Sequence, residues 1–456
     1  MHRRAALVSG VGFFTDAYDL FVISTVAVLV TKQWHLDRTQ TSWVTGAAIL
    51  GAFVGAVAFG RLADRIGRRP VYGIVAALMV LGALASAFAP SFGTLVAARL
   101  LLGLGIGGDY PVSAVLMSEY SNRADRGRMV SIVFSMQAVG LVVGPAVAIA
   151  LLESGIGGDL TWRLLLGFGA IPAAAVIWLR TRMPESPRFR AEVQGDEAQA
   201  ARDLAAFARF GGAGDAGEAP AAAIPARAPG PRAAAPVGGL WSMLTQRRTL
   251  TLLVGTAGAW FLFDYAYYGN TLSLPAILTA VDPHASTVGK LALSLLLFVV
   301  FAVPGYLLAI YKMDTVGHRR LQVLGFAVMA VAFLALGLVH SLTTVVPAFV
   351  AIFGVSYFFV EFGPNTTTFV LPAEVFPTHQ RTTGHGFAAG LGKLGAFVGV
   401  FLVPKLQSGL GLRGMLLVAA AASVAGLACS RLLPEPGRRS LHEVAAAPAE
   451  GDELAA

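Results

Sequence analysis

Six ionisable residues stand inside long apolar runs: Asp16, Asp19, Asp109, Asp264, Glu361 and Lys393. Inside a membrane helix such a residue costs about 2.5 kcal/mol or more on insertion scales, so it usually faces a bundle interior. There it handles ions or protons, or it closes a structural ion pair. For Asp16 and Glu361 a structural pair, or a helix end near the membrane surface, is the competing reading. Trp260, Asp264 and Tyr268 fall at i, i+4 and i+8 and so share one helix face. An aromatic stripe alone is packing; a carboxylate at its centre marks a site. Nothing in the chain suggests bond-making chemistry. No nucleophile–base pair stands out, and the eight His show no metal-ligand spacing. Gly103-x-Gly105-x-x-Gly108 matches the dinucleotide pattern but lies in an apolar run with no strand before it. Gly392-Lys393 hints at a nucleotide loop, yet Phe387 stands at the first Gly and Leu394 at the Ser/Thr. The expectation is a protein that moves a solute: not an enzyme, with no cofactor and no metal.

The composition explains what must position these residues. Of 456 residues 56% are hydrophobic and only 13% charged, against about 25% charged in soluble domains. A soluble globule needs a polar surface; lipid removes that need. The 52 Gly fit too, since Gly lets membrane helices approach closely. The net charge of +8 does not imply nucleic acid, because Lys and Arg sit in short loops between apolar runs. The single Cys429 excludes a disulfide framework. His2-Arg3-Arg4 ahead of an apolar run resembles a signal peptide, but the run continues past residue 28 with Asp16 and Asp19 inside it, which predicts a retained first helix.

A bilayer core of about 30 Å needs about 20 apolar residues per helix. Runs of that length fall near 8–31, 42–62, 70–89, 92–118, 128–152, 163–181, 248–279, 287–311, 319–340, 343–370, 382–404 and 412–433. That makes about twelve transmembrane helices in an all-α integral membrane fold. Arg3/Arg4, Arg65/Arg68/Arg69, Arg123/Arg126/Arg128, Lys312/His318/Arg319/Arg320, His379/Arg381 and Arg438/Arg439 fall on one side of this count. Lys32, Arg38, Arg163, Lys290, Lys405 and Arg413 fall on the other, mostly singly. Both termini are therefore expected in the cytoplasm. Residues 183–246 break the pattern, and 219–236 are Ala/Pro/Gly-rich without apolar period, as in a flexible linker.

The halves repeat. Asp64-Arg65-Ile66-Gly67-Arg68-Arg69 recurs 250 residues later (314 − 64) as Asp314-Thr315-Val316-Gly317-His318-Arg319-Arg320. Glu119 with Arg126 recurs as Glu374 with Arg381, and Pro184-Glu185 as Pro434-Glu435. Matching signals at matching loops predict two pseudo-symmetric six-helix bundles with a midplane site between them. The expected division is an N-terminal bundle at 1–182, a partly disordered cytoplasmic linker at 183–246, a C-terminal bundle at 247–434 and a cytoplasmic tail at 435–456.

Gly60-Arg61-Leu62-Ala63-Asp64-Arg65-Ile66-Gly67-Arg68-Arg69 resembles the signature loop between helices two and three of the major facilitator superfamily. Arg99 with Gly103 and Gly105 resembles its fourth-helix motif, and Pro184-Glu185-Ser186-Pro187-Arg188 with Pro434-Glu435 its sugar-porter branch. A finer resemblance is to the phosphate:proton symporters. It rests on Gly12-Phe13-Phe14-Thr15-Asp16-Ala17-Tyr18-Asp19, Gly107-Gly108-Asp109-Tyr110-Pro111, Met136-Gln137, Phe362-Gly363-Pro364-Asn365-Thr366-Thr367-Thr368-Phe369 and Gly392-Lys393-Leu394-Gly395. That resemblance implies a substrate site at Tyr110, Gln137, Trp260, Asp264, Tyr268, Asn365 and Lys393, with Asp19 and Asp109 handling protons. Asp19 with Arg99 also resembles the proton pair of proton-coupled sugar porters. Glu361 departs from the pattern, standing where the family leads one to expect a neutral amide; it would add a proton site or signal another substrate.

Within that resemblance, phosphate calls for charge-assisted donors and no bare carboxylate. Lys393 supplies the charge; Tyr110, Gln137, Trp260, Tyr268 and Asn365 supply neutral donors. Asp264 fits if it pairs with Lys393 when the site is empty and releases it on taking a proton. The loop residues Gly60, Asp64, Arg65, Gly67 and Arg68, their copies Asp314, Gly317 and Arg319, and Glu119, Arg126, Glu374 and Arg381 are expected to clip helices together in one state of the cycle. The expectation is thus import of inorganic phosphate with protons by alternating access, in the plasma (cytoplasmic) membrane, by a monomeric functional unit. A sugar or organic-anion porter is the alternative on the same fold, and a non-transporting phosphate sensor the alternative from another class.

Overall fold

The structure, a computed structural model, describes residues 2–121, 124–180, 185–210, 245–437, 439 and 441–446. The Ala/Pro/Gly-rich stretch 219–236, Arg123, Pro184, Arg438 and the tail beyond 446 lie outside the described residues. Among the described residues every regular element is helical.

The apolar runs become helices because a backbone without water must satisfy its own polar groups. In chain order these are α1 (His2–Trp34), α2 (Arg38–Ile66), α3 (Arg68–Ala87) and α4 (Phe92–Tyr120). They are followed by α5 (Arg126–Glu153), α6 (Gly158–Trp178), α7 (Arg247–Leu272), α8 (Thr287–Val316), α9 (His318–Leu338) and α10 (Val346–Val375). The last apolar span, Thr378–Ser430, has 53 residues. Its helix, Arg381–Ser430, would be about 75 Å long at ~1.5 Å per residue, more than twice a bilayer core of ~30 Å. It is two helices: Gly411, at φ 70°, ψ 174°, breaks it into α11 (381–410) and α12 (412–430). Ten spans plus these two make twelve among the described residues. The expected run 248–279 is also divided, α7 ending at Leu272 and a short helix, Leu274–Val281, following. The expected linker begins with helical turns at Phe189–Val193 and a helix at Glu197–Phe210.

Local signals set the ends. The Asp37 side chain accepts the Gln40 N–H while Gln40 bonds back to Asp37, a capping box that starts α2. Gly67 and Gly317 end α2 and α8 at φ 103° and 107°, a region that penalises any side chain. A Cβ at either would also strike the Glu185 or Glu435 carboxylate.

Glycines set the spacing between helices. Gly103 and Gly107 of α4 lie against the Ala48 and Ala52 carbonyls of α2, and Gly51 and Gly55 of α2 against Leu100 and Leu104 of α4. The run that mimics a dinucleotide motif is therefore a helix-packing seam. Across the two halves, Gly60 of α2 meets Gly386 of α11 backbone to backbone. At the opposite end of the same pair, Trp43 packs on Phe397 and Phe401, centroids 5.8 and 5.4 Å away.

Candidate functional site

The central site lies where the halves meet. Asp264 and Tyr268 of α7 face α11, and Lys393 Nζ lies 3.0 Å from Asp264 Oδ2 and 3.0 Å from the Tyr268 hydroxyl, to both of which it donates. The ammonium also sits over the rings of Tyr268 and Tyr110, 4.2 and 4.6 Å from their centroids. Phe21 of α1 stacks on Tyr268, with ring planes 8° apart. Trp260, one turn before Asp264, is tilted against Tyr110 at 6.2 Å and edge-on to His385 at 5.6 Å. The i, i+4, i+8 face thus turns inward as a unit.

Hydrogen bonds tie this pair to the other expected donors. The Tyr110 and Tyr268 hydroxyls stand 3.5 Å apart, and Gln137 Nε2 donates to Tyr110 at 2.9 Å. Tyr306 of α8 donates to Gln137 Oε1 at 3.2 Å, and Asn365 Nδ2 donates to Tyr306 at 2.7 Å. The same Asn365 nitrogen donates to Glu361 Oε2 at 2.5 Å. Asn365 sits just past a break in α10: Gly363 at φ −118°, ψ −106° stops one helix, and Pro364 opens the next. A discontinuous helix at bilayer depth is tolerated only where it is buried in protein or lines a cavity. All seven expected site residues are at most 3% exposed, so the cluster is closed on both sides.

The expected proton-handling residues divide into three groups. Asp16 and Asp19 of α1 are fully buried, and none of their carboxylate oxygens has a hydrogen-bond partner. Arg99 reaches Asp19 through its backbone carbonyl, Nη2 to O 2.6 Å, rather than through the carboxylate. Asp109 is fully satisfied, 2.7 Å from Arg180 Nη2 and accepting from Ser113 at 2.9 Å. The Arg180 guanidinium lies 3.8 Å above the Tyr72 ring, filling the space that Gly12 leaves open. Glu361 is buried near the middle of the α10 span, two residues before the break at Gly363.

On one face of the bundle, the two repeated loops are built alike. Glu185 accepts the Arg68 and Arg69 N–H groups, and Glu435 those of His318 and Arg319, at 2.8–3.1 Å. Arg68 Nη2 bridges Asp64 at 3.1 Å and Glu119 at 3.3 Å; His318 likewise bridges Asp314 at 3.3 Å and Glu374 at 2.8 Å. Each set then grips the opposite half. Asp64 accepts from the Thr383 N–H and hydroxyl, both at 2.7 Å, and Asp314 from the N–H groups of Gly127 and Arg128, at 3.1 and 2.8 Å. Arg126 pairs with Glu374 at 2.8 Å, and Arg381 with Glu119 at 3.4 Å. Arg319 caps the Leu433 carbonyl at 3.0 Å, whereas Arg65 is exposed and outside the clamp.

Sequence reasoning did not single out Arg180, Tyr306 or Thr383. Arg180 had a signal, a cation at the end of an apolar run. Tyr306 and Thr383 had none, because a hydroxyl in an apolar helix is common and only its neighbours give it a role.

Twelve apolar helices in two matching halves, enclosing a buried ion pair and clamped by repeated loops, define a membrane transporter of the major facilitator fold. The family model described as "Sugar (and other) transporter" matches residues 5–447. The chain belongs to that family, one of transporters rather than enzymes. It is 35% identical to a probable inorganic phosphate transporter 1-6 of Arabidopsis thaliana over 97% of this chain and 93% of that one. It is 36% identical to inorganic phosphate transporter 1-6 of Oryza sativa subsp. japonica, over 97% and 92%. In fold it is similar to the proton:xylose symporter XylE bound to 6-bromo-6-deoxy-D-glucose, with TM-score 0.78 at 19% identity over 97% and 98% of the chains. It is also similar to the human organic anion transporter MFSD10, with TM-score 0.65 at 15% identity over 94% and 99%.

Proposed function

We propose that this transporter imports inorganic phosphate together with protons by alternating access. The observation that carries the reading is the Lys393–Asp264 pair, buried at 3.0 Å and ringed by Tyr110, Gln137, Trp260, Tyr268 and Asn365. A tetrahedral oxyanion is held by charge-assisted donors from several directions, and this set offers one cation and five neutral donors. Relatives named as inorganic phosphate transporters support the substrate. A sugar site needs no buried cation, so Lys393 favours an anion over a sugar.

The cycle follows from the pair. In the empty carrier ionised Asp264 holds Lys393. A proton on Asp264 removes the counter-charge, Lys393 turns to phosphate, and the neutralised site reorients. Asp16 and Asp19, which have no partners, receive protons on the way in, with Arg99 holding the turn of α1 at Asp19. Asp109, neutralised by Arg180, sets the field on that path. The paired-loop face is cytoplasmic in this reading, as its excess of Arg supports, and both termini lie there. Residues 1–182 and 247–434 move as two bundles joined by 183–246, with 435–456 as tail. The chain works as a monomer in the plasma membrane, driven by the proton gradient and by a potential worth ~2.3 kcal/mol per charge per 100 mV.

The test is uptake of radiolabelled phosphate into proteoliposomes under an inward proton gradient, with a protonophore control and Lys393→Ala. Gradient-dependent uptake lost in both supports the reading. Absence of uptake by correctly inserted protein refutes it in favour of an organic anion or sugar.

A further inference from the structure

Glu361 is the one site-adjacent carboxylate that the Asp264 cycle does not use. Among the described residues no cation lies within ion-pair distance of it, and its Oε1 has no hydrogen-bond partner. Its surroundings are neutral on every side. Asn365 and Tyr357 face it from its own helix, Tyr267 from α7 and Tyr306 from α8. Beside it a small, mostly apolar crevice between α7, α9 and α10 is lined by Tyr267, Asn270 and Tyr357 with Met329, Phe333 and Phe353. Both Asn270 amide atoms are buried there without hydrogen-bond partners.

The position of Glu361 gives it a function. Asn365 has two amide hydrogens, and both are engaged, one by Tyr306 at 2.7 Å and one by Glu361 at 2.5 Å. A donor so occupied has none left for an oxyanion. An ionised Glu361 therefore withholds Asn365 and sets a negative charge one side chain away from where the anion must lie. A proton on Glu361 removes the charge and weakens the acceptor, freeing an amide hydrogen for the substrate. We infer that Glu361 is a second proton-binding group of the transport cycle, loaded before substrate and unloaded after it, which gates Asn365 and adds one proton per substrate to the coupling. The proton comes from water on the outer side and leaves to water on the inner side, with no other bond made or broken. The Tyr306–Gln137–Tyr110–Tyr268 hydrogen bonds join this second group to Lys393 without relaying the proton.

The inference rests on the phosphate-symport reading and deepens it. The experiment is the proton:phosphate ratio, read from the reversal potential of phosphate flux in proteoliposomes for the wild type and Glu361→Gln. Glutamine keeps an acceptor for Asn365 but cannot take a proton. Expected is phosphate flux with the ratio lowered by one and a flatter pH dependence of phosphate affinity. In parallel, Asp264→Asn protein in detergent is given phosphate and its proton uptake followed with a pH indicator; one proton per phosphate bound is expected. An unchanged ratio in Glu361→Gln overturns the inference and leaves phosphate transport standing. If Glu361→Gln does not fold, zero proton uptake by Asp264→Asn overturns it alone. A wild type with no phosphate flux overturns both readings.

Discussion

Replacing Asp264 by Asn tests the coupling where it is most exposed to refutation. At 3.0 Å the Lys393–Asp264 pair has a gross attraction of about 5–6 kcal/mol at an effective dielectric of ~20. Removing one partner of a buried pair costs about 3–5 kcal/mol, because the remaining charge is left uncompensated. In Asp264→Asn that cost falls on the empty carrier, whereas the loaded carrier has phosphate beside Lys393. The empty state therefore rises by about 3 kcal/mol relative to the loaded one, and phosphate binding at neutral pH tightens by up to about 150-fold. Release slows correspondingly. Because one proton no longer moves, the limiting accumulation ratio falls about tenfold for each pH unit of gradient. Titration calorimetry across pH gives the affinity; proteoliposome accumulation against counterflow separates coupling from turnover. An accumulation limit equal to that of the wild type, with the same pH dependence of affinity, would refute the scheme.

Other perturbations follow from the same contacts. Lys393→Ala removes a charge-assisted donor worth ~1.5–3 kcal/mol, so phosphate affinity falls about 10- to 150-fold in calorimetry. Arg126→Glu breaks the pair with Glu374 and favours opening of the clamped face; the double exchange Arg126→Glu with Glu374→Arg recovers part of the lost transport, read by uptake. Asp109→Asn leaves Arg180 buried without a counter-charge and lowers stability by about 3–5 kcal/mol, seen as a fall in the thermal midpoint in detergent. Ala at Gly67 or Gly317 forces a side chain into a left-handed backbone against a carboxylate, at ~1–2 kcal/mol each by the same assay. His318→Gln loses the charged bridge between Asp314 and Glu374 while His318→Arg keeps one, so uptake in the glutamine variant falls further, read at fixed internal pH.

Much of this protein was legible before any coordinates. Apolar length fixes helices, because a bilayer demands about 20 residues of them, and the twelve expected runs, 382–404 and 412–433 among them, needed nothing more. Repeated loops announce repeated halves, because a duplicated unit keeps the residues that hold its turns, here Gly67 with Glu185 and Gly317 with Glu435. A charge in lipid must face inward, so Asp264 and Lys393 could be singled out one at a time. What sequence could not supply is partnership. Asp109 and Asp264 look alike in a string of letters, yet one is held by Arg180 and the other by Lys393, because α4 faces the end of α6 and α7 faces α11. Asp19 and Arg99 suggest a side-chain pair, but the turn of α1 offers Arg99 a carbonyl instead. Tyr306 and Thr383 acquire roles only when the two halves close on each other. Helix and membrane depth are set by local composition; pairing depends on distances between residues far apart in the chain, and those exist only in the packed bundle.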